Sequence, residues 1–387
     1  MAALEHARDA GALATGEPMK AAAERPHLAY VDGLRALAAL GVLWTHGIGC
    51  AYRACAGAHV AWRDIGDRGV ELFFVVSGFC LAYPFLARKY AGRPVKLDYV
   101  RFLVRRFSRI APPYYAVLGL LALLALTPIG FPGNATLGPI PPGLAASTFA
   151  RDVVFDTSGW QLYNLAFWTL GVEMHWYLVC PLLIALYLRW PAAFFLTMPL
   201  LYALSFFPPF GLPHVFELAT LPCFMLGILA ADLTFRKRAA ARYALAVVPA
   251  ALVIVLFREG SKVDFTDPGW HLLSFLIVVL AGMAPLSRFF ALRPMVAVGV
   301  ASYSIYLVHF PVIGFFERHG VPSWPATAIA LGAGFAFWRL VEVPFLRPEV
   351  RGRIESGLEA LLGRLKVPSS LTLPGPPLAP RPGGPGG

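Results

Sequence analysis

The chain has 387 residues, of which 58% are hydrophobic and only 14% charged, well below the roughly one quarter charged that is usual in soluble domains. Lys+Arg 33 outnumber Asp+Glu 22 for a formal net charge of +11, yet the basic residues sit in short clusters between apolar runs, not on the solvated patches that a nucleic-acid binder carries. A soluble domain and a nucleic-acid partner are therefore excluded, and apolar stretches near the ~20 residues that cross a bilayer as helix predict an all-α, polytopic membrane helix bundle of about ten transmembrane helices.

Residues 1–28 are Ala-rich with mixed charges and no apolar centre, and are expected to form a loose cytoplasmic tail, not a cleaved signal peptide. The transmembrane domain is expected over 29–348, with spans near 33–50, 68–87, 110–129, 163–188, 192–208, 215–234, 242–257, 270–286, 296–316 and 324–345. An amphipathic cytoplasmic segment over 349–366 follows, with Ile354, Leu358, Leu361, Leu362 and Leu365 at helical spacing, expected to lie along the membrane surface. The Pro/Gly-rich tail, 367–387, is expected to lack fixed structure.

An ionisable side chain inside a span costs roughly 2.5–3.5 kcal/mol, so each one needs a reason. In the first span Asp32, Arg35 and His46 share one helical stripe, the last two about 16 Å apart along the axis. Capping by Asp32, snorkelling by Arg35 and an interfacial His46 compete with a lined cavity, which three polar groups on one stripe favour. After it, Cys50 and Cys55 fall together in an expected outside loop, where a disulfide is open to them; Cys80, Cys180 and Cys223 read as small hydrophobes. In the second span, Glu71 is either an interfacial or a cavity residue, and Ser77-Gly78 suits close helix approach better than a nucleophile. At the third span's entrance Arg105, Arg106 and Arg109 form one guanidinium face, suited to phosphate oxygens. The fourth span buries Glu173 one turn before Tyr177. The ninth sets Ser302, Tyr306 and His309 at i, i+4 and i+7, either as helix glue or as a polar lining. In the tenth, Arg339 and Glu342 read as an internal ion pair. No metal-ligand spacing occurs and no bound cofactor is expected.

Lys and Arg concentrate in alternate loops, as in Arg88 to Arg109, Arg236 to Arg242 and Arg288 to Arg293. By the positive-inside rule both termini are expected in the cytoplasm, in a bacterial-type cytoplasmic membrane.

Five stretches in order (Asp32-Gly-Leu-Arg to His46, Val70 to Phe79, Arg105 to Tyr114, Trp168 to Tyr177, and Ser302 to His309) resemble the integral-membrane acyltransferase-3 family over about residues 28–346. The resemblance implies transfer of an acyl group, often acetyl, from acyl-coenzyme A as co-substrate to a hydroxyl of a saccharide or other acceptor. His46 then serves as general base with Glu173 or Asp32 supplying negative charge. Arg35, Arg105, Arg106 and Arg109 hold the donor's phosphates. Glu71, Ser77, Tyr177, Ser302, Tyr306 and His309 bind the acceptor, of which Ser77, Tyr306 and His309 line the acceptor side or donate to an oxyanion. Thr169, Glu71 and the His175-Trp176 pair depart from the family's usual pattern, and no extracytoplasmic esterase-like domain is expected. The competing reading is a transporter or flippase, which calls for inverted halves with broken helices at matching positions; a non-enzymatic scaffold gives no reason for buried Glu173 and His46.

Overall fold

Apolar runs in this chain become helices, and proline, glycine and aspartate punctuate them. The computed structural model describes residues 28–49, 65–127, 142–156, 161–206, 215–236, 268–364 and 370–373. Helix α1 (Ala29–Trp44) carries Asp32 in its first turn, where a carboxylate suits the helix dipole, and runs into a π-helical turn over Thr45–Gly49 that holds His46. Helix α2 (Ile65–Tyr90) stops at Gly92, whose φ of 66° closes the helix end. Strand β1 (Val95–Asp98) leads into α3 (Tyr99–Ala125), and the Asp98 side chain caps α3 by accepting the Arg101 N–H at 3.0 Å.

Then follow α4 (Pro142–Val153), α5 (Phe167–Arg189), α6 (Pro191–Phe206), α7 (Val215–Phe235), α8 (Pro268–Ala281) and α9 (Leu286–Phe290). Helices α10 (Arg293–Val300) and α11 (Ser302–Arg318) meet at Ala301 with a bend of 68°. Helix α12 (Ser323–Phe337) continues through a second π turn (Trp338–Glu342) into α13 (Val343–Leu346), before α14 (Pro348–Arg364) and strand β2 (Ser370–Leu373).

The centre is the α2–α7 pair, where glycines let two backbones touch. A Cβ on Gly78 would collide with the Phe224 carbonyl, and one on Gly227 with the Val75 carbonyl and the Phe79 amide. This is the close approach that small residues allow between membrane helices. Helix α1 lies against α2 and α10, and Gly299 packs directly on the Asp32 carbonyl. Outward faces carry exposed Leu123, Leu182, Leu196, Trp324 and Leu340, which suits a hydrocarbon surround.

Among the described residues, five helical stretches are long and apolar enough to cross a membrane: Arg68–Tyr90, Tyr99–Ala125, Phe167–Arg189, Leu218–Phe235 and Ser323–Leu346. The bent pair α10–α11 makes up to six. The expected count of about ten is thus not reproduced. The shorter helices Pro191–Ser205 and Pro268–Ala281 are apolar but below that length, and the span expected at 242–257 lies outside the described residues, as do Cys50, Cys55 and the N-terminal tail.

The C-terminal region departs from expectation in two places. Part of the tail expected to lack structure, Ser370–Leu373, pairs antiparallel with β1 in the register Val95↔Leu373 to Asp98↔Ser370. Helix α14 packs on α3, close to the arginines of its first turns.

Candidate active site

Helices α1, α2, α3, α5, α10 and α11 converge on a cavity of about 100 Å3. Its lining includes Arg35 from α1, Ser77 and Cys80 from α2, Arg106 and Arg109 from α3, Thr169, Glu173 and Tyr177 from α5, and Ser302, Tyr303 and Tyr306 from α11. Residues from distant parts of the sequence with no local reason to be polar therefore share one void.

One end is cationic. Arg35 donates through Nη1 to Asp32 Oδ1 at 3.2 Å and through Nη2 to Cys80 Sγ at 3.4 Å. Asp32, one turn earlier, thereby orients the guanidinium instead of facing His46. Arg106 and Arg109 stand one turn apart on α3 and both reach the void, whereas Arg105 is not among the lining residues. Between them Ser108 is buried, with its Oγ at 3.2 Å from both the Arg105 carbonyl and Glu355 Oε1 of α14. Arg351 donates to the same carboxylate oxygen at 2.7 Å.

The middle is built of hydroxyls whose protons are already committed. Ser77 Oγ and Tyr177 Oη both donate to Glu173 Oε1, at 2.6 and 2.7 Å. Tyr303 Oη donates to the Ile110 carbonyl at 2.7 Å. Thr169 Oγ1 donates to the Ala166 carbonyl at 3.1 Å, so in its 2.6 Å contact with Tyr306 the tyrosine must be the donor. Each of these groups has only lone pairs left to offer a guest. Ser77 and Tyr306 are therefore acceptors here, an arrangement that suits the expected lining role and not the alternative of oxyanion donation.

Beyond Tyr306 stands a histidine pair. The Tyr306 and His309 ring centroids are 5.4 Å apart, and His309 Nε2 lies 3.1 Å from His46 Nδ1. His46 is not among the residues lining the void; it sits one side chain further on, edge-on to Phe310 at 5.5 Å. Its hydrogen-bond partners are His309 and the Val42 backbone, not the carboxylate of Glu173 or Asp32. Helix α11 can hold this geometry because Pro311 lacks the N–H that would bond the Leu307 carbonyl, and Asn164 Nδ2 supplies the missing donor at 2.7 Å.

Three expected roles change. Glu71 is fully buried but outside the void, paired with Arg68 at 2.7 Å, while that guanidinium also covers the Trp270 ring. Glu342 is buried and accepts from Ser304 Oγ at 2.6 Å, whereas Arg339 is exposed, so the two do not form an internal pair. Cys80, read as a small hydrophobe, is a cavity wall and a partner of Arg35. Sequence reasoning missed Arg68 and Asn164; the signal available for Asn164 was an amide three residues before an aromatic helix start.

Comparison with known proteins identifies the family. The model of the acyltransferase domain of the acyltransferase-3 type matches residues 28–341, which take in every cavity residue. The O-acetyltransferase OatA of Staphylococcus aureus (strain NCTC 8325 / PS 47) is 24% identical over an alignment covering 76% of this chain and 52% of that protein. The peptidoglycan O-acetyltransferase OatA of Listeria monocytogenes serovar 1/2a is 23% identical, covering 75% and 50%. A putative O-acetyltransferase of Staphylococcus aureus strain COL is 22% identical, covering 83% and 58%. The chain thus spans about half the length of the curated relatives it matches. No solved structure matches.

Proposed function

The chain belongs to the acyltransferase-3 family, and from that premise we propose that it is a membrane O-acyltransferase moving an acyl group, acetyl in the simplest case, from acyl-coenzyme A to a saccharide hydroxyl. The observation that carries this reading is that one void is lined by guanidiniums and by hydroxyls with only lone pairs to offer, with the histidine pair beyond its Tyr306 wall.

That lining matches the donor. Arg35, Arg106 and Arg109 suit its phosphates, since guanidinium forks bind phosphate oxygens through charge-assisted bonds. The pantetheine arm carries amide N–H groups, which suit acceptors at Glu173, Tyr177 and Tyr306. The thioester carbon would then stand near His46, with rotation of the Tyr306 ring opening the last step. His46 Nε2 takes the proton of the attacking hydroxyl, the oxygen bonds to the acyl carbon, and the C–S bond breaks. The proton then passes to the departing thiolate, giving ester and free coenzyme A. Thr169, Glu173 and Ser302 position the arm and do not exchange protons with it.

The basic clusters support a cytoplasmic donor mouth, both termini on that side, about ten crossings and a bacterial-type cytoplasmic membrane. The Listeria relative's name points to a peptidoglycan sugar as acceptor. In purified protein, His46→Ala should lower kcat by on the order of 10²–10⁴; an unaltered rate would remove His46 from the chemistry. Arg106→Ala and Arg109→Ala should each weaken acetyl-coenzyme A binding about tenfold or more, read by calorimetry, and equal binding would move the donor site elsewhere.

A further inference from the structure

We propose that His309 is a positioning residue that fixes the tautomer of His46 and so leaves His46 Nε2 free to accept a proton. The inference deepens the reading of His46 as base and depends on it only for its kinetic consequence.

The assignment follows from hydrogen-bond direction alone. His309 Nδ1 stands 2.7 Å from the Tyr306 carbonyl oxygen. A carbonyl only accepts, so His309 carries its proton on Nδ1. A neutral imidazole has one N–H, which leaves a lone pair at His309 Nε2. That nitrogen is 3.1 Å from His46 Nδ1, and two ring nitrogens bond only if one of them bears a proton. It must be His46 Nδ1. The remaining nitrogen of His46, Nε2, is then the unprotonated one. His309 is 1% exposed, and rings of Tyr306 and Phe310 flank the pair, surroundings that disfavour the cationic His309 in which both nitrogens would donate.

The lock is rigid because each member is held. His309 bonds the carbonyl one turn back on its own helix, and that helix is tied to Asn164 at the Leu307 carbonyl. His46 sits in the π turn with its ring edge-on to Phe310 and hydrogen-bonded to the Val42 backbone one turn back, a second hold on the ring beside His309. Without the lock an imidazole distributes its proton over both nitrogens, and the fraction competent as a base falls. An enforced wrong tautomer disables it, because the nitrogen that faces the substrate then already bears the proton.

The test uses the full chain in nanodiscs, labelled with ring-15N histidine, with the His46 signals assigned by difference against His46→Gln. Wild type should show His46 as the neutral Nδ1–H tautomer. His309→Leu should convert it largely to Nε2–H or to a mixture. Three variants then separate the lock from simple packing. His309→Gln places an acceptor oxygen near the old Nε2 position and should keep the tautomer. Its kcat should stay within about tenfold of wild type, using acetyl-coenzyme A and soluble peptidoglycan glycan fragments. His309→Asn can bond the Tyr306 carbonyl but is too short to reach His46, and should lose kcat about a hundredfold with the KM for acetyl-coenzyme A unchanged, as should His309→Leu. Thermal melts confirm that each variant is folded. An Nε2–H or cationic signal in wild type, or Gln no better than Leu in both spectrum and kcat, overturns the proposal. If His46→Ala keeps its rate while the spectra behave as described, the base reading fails and the lock stands.

Discussion

Glu173 gathers two hydroxyls on a single carboxylate oxygen, Ser77 at 2.6 Å and Tyr177 at 2.7 Å, and so joins α2 to α5 across the cavity. Glu173→Ala should strand both hydroxyls and cost roughly 1–3 kcal/mol of stability, seen as a lower thermal midpoint; Glu173→Gln keeps an acceptor oxygen and should cost less. Asp152 of α4, outside the spanning helices, behaves differently. It is 1% exposed, and neither carboxylate oxygen has a hydrogen-bond partner among the described residues. Burial pushes this carboxyl up to about 7, with Arg151 opposing and Asp156 adding. Because the folded value is raised, the folded protein binds the proton more tightly than the unfolded chain. Stability is therefore full at acid pH and falls as pH rises from about 4 towards 7. Asp152→Asn should melt a few degrees higher than wild type at pH 8 and equally at pH 4; a constant difference across that range would contradict the assignment. Glu173 was visible in the sequence as an acid inside an apolar run, but its partners were not, because hydrogen-bond direction depends on neighbours from other helices.

At the scale of elements, the α2–α7 contact depends on glycine. Gly227→Val sets branched carbon against the Val75 carbonyl and Phe79 amide, and forced separation of two packed backbones should give a lower melting temperature and poor recovery as a monodisperse particle, whereas Gly332→Ala, on open space in α12, should not. Ser77-Gly78 signalled this close approach in advance, since small residues have few other uses inside an aromatic helix. The π turn at Thr45–Gly49 left no such mark. A π turn is a local compromise with packing, here with Gly47 against Thr327, and it carries His46, which does not line the cavity that Arg35 lines. Helix α14 was legible as an amphipathic segment, but its target was not. It docks on α3 through Glu355, which meets Ser108 and Arg351. Glu355→Ala should loosen this end, detected as faster hydrogen exchange in residues 99–109 and 348–364.

At the scale of the molecule, the alternatives differ in symmetry. A transporter built on inverted halves needs broken helices at matching positions, and among the described residues one bent pair occurs, α10–α11. Its bend delivers Ser302, Tyr303 and Tyr306 to the cavity wall, a use that acyl transfer accounts for without a second copy. Orientation is a separate question with a direct measurement. Reporter fusions after residue 95 and after residue 145 should fall on opposite sides of the membrane, cytoplasmic and external; the same side for both would refute the parity of the spans.

Composition and hydropathy by themselves determined that the chain is helical and made for a membrane, because burial of backbone in hydrocarbon admits few other solutions. They also exposed Asp32, Arg35, His46, Glu173 and the arginines of α3 as residues that lipid would reject. Only the tertiary structure decided who meets whom: that Asp32 serves Arg35, that Glu71 answers Arg68, and that His46 meets another histidine. Rejection by lipid is a property of one side chain and its span, readable along the chain. Pairing is set by how separate helices rotate and approach, and residues 263 apart in sequence, such as His46 and His309, carry no local sign of each other.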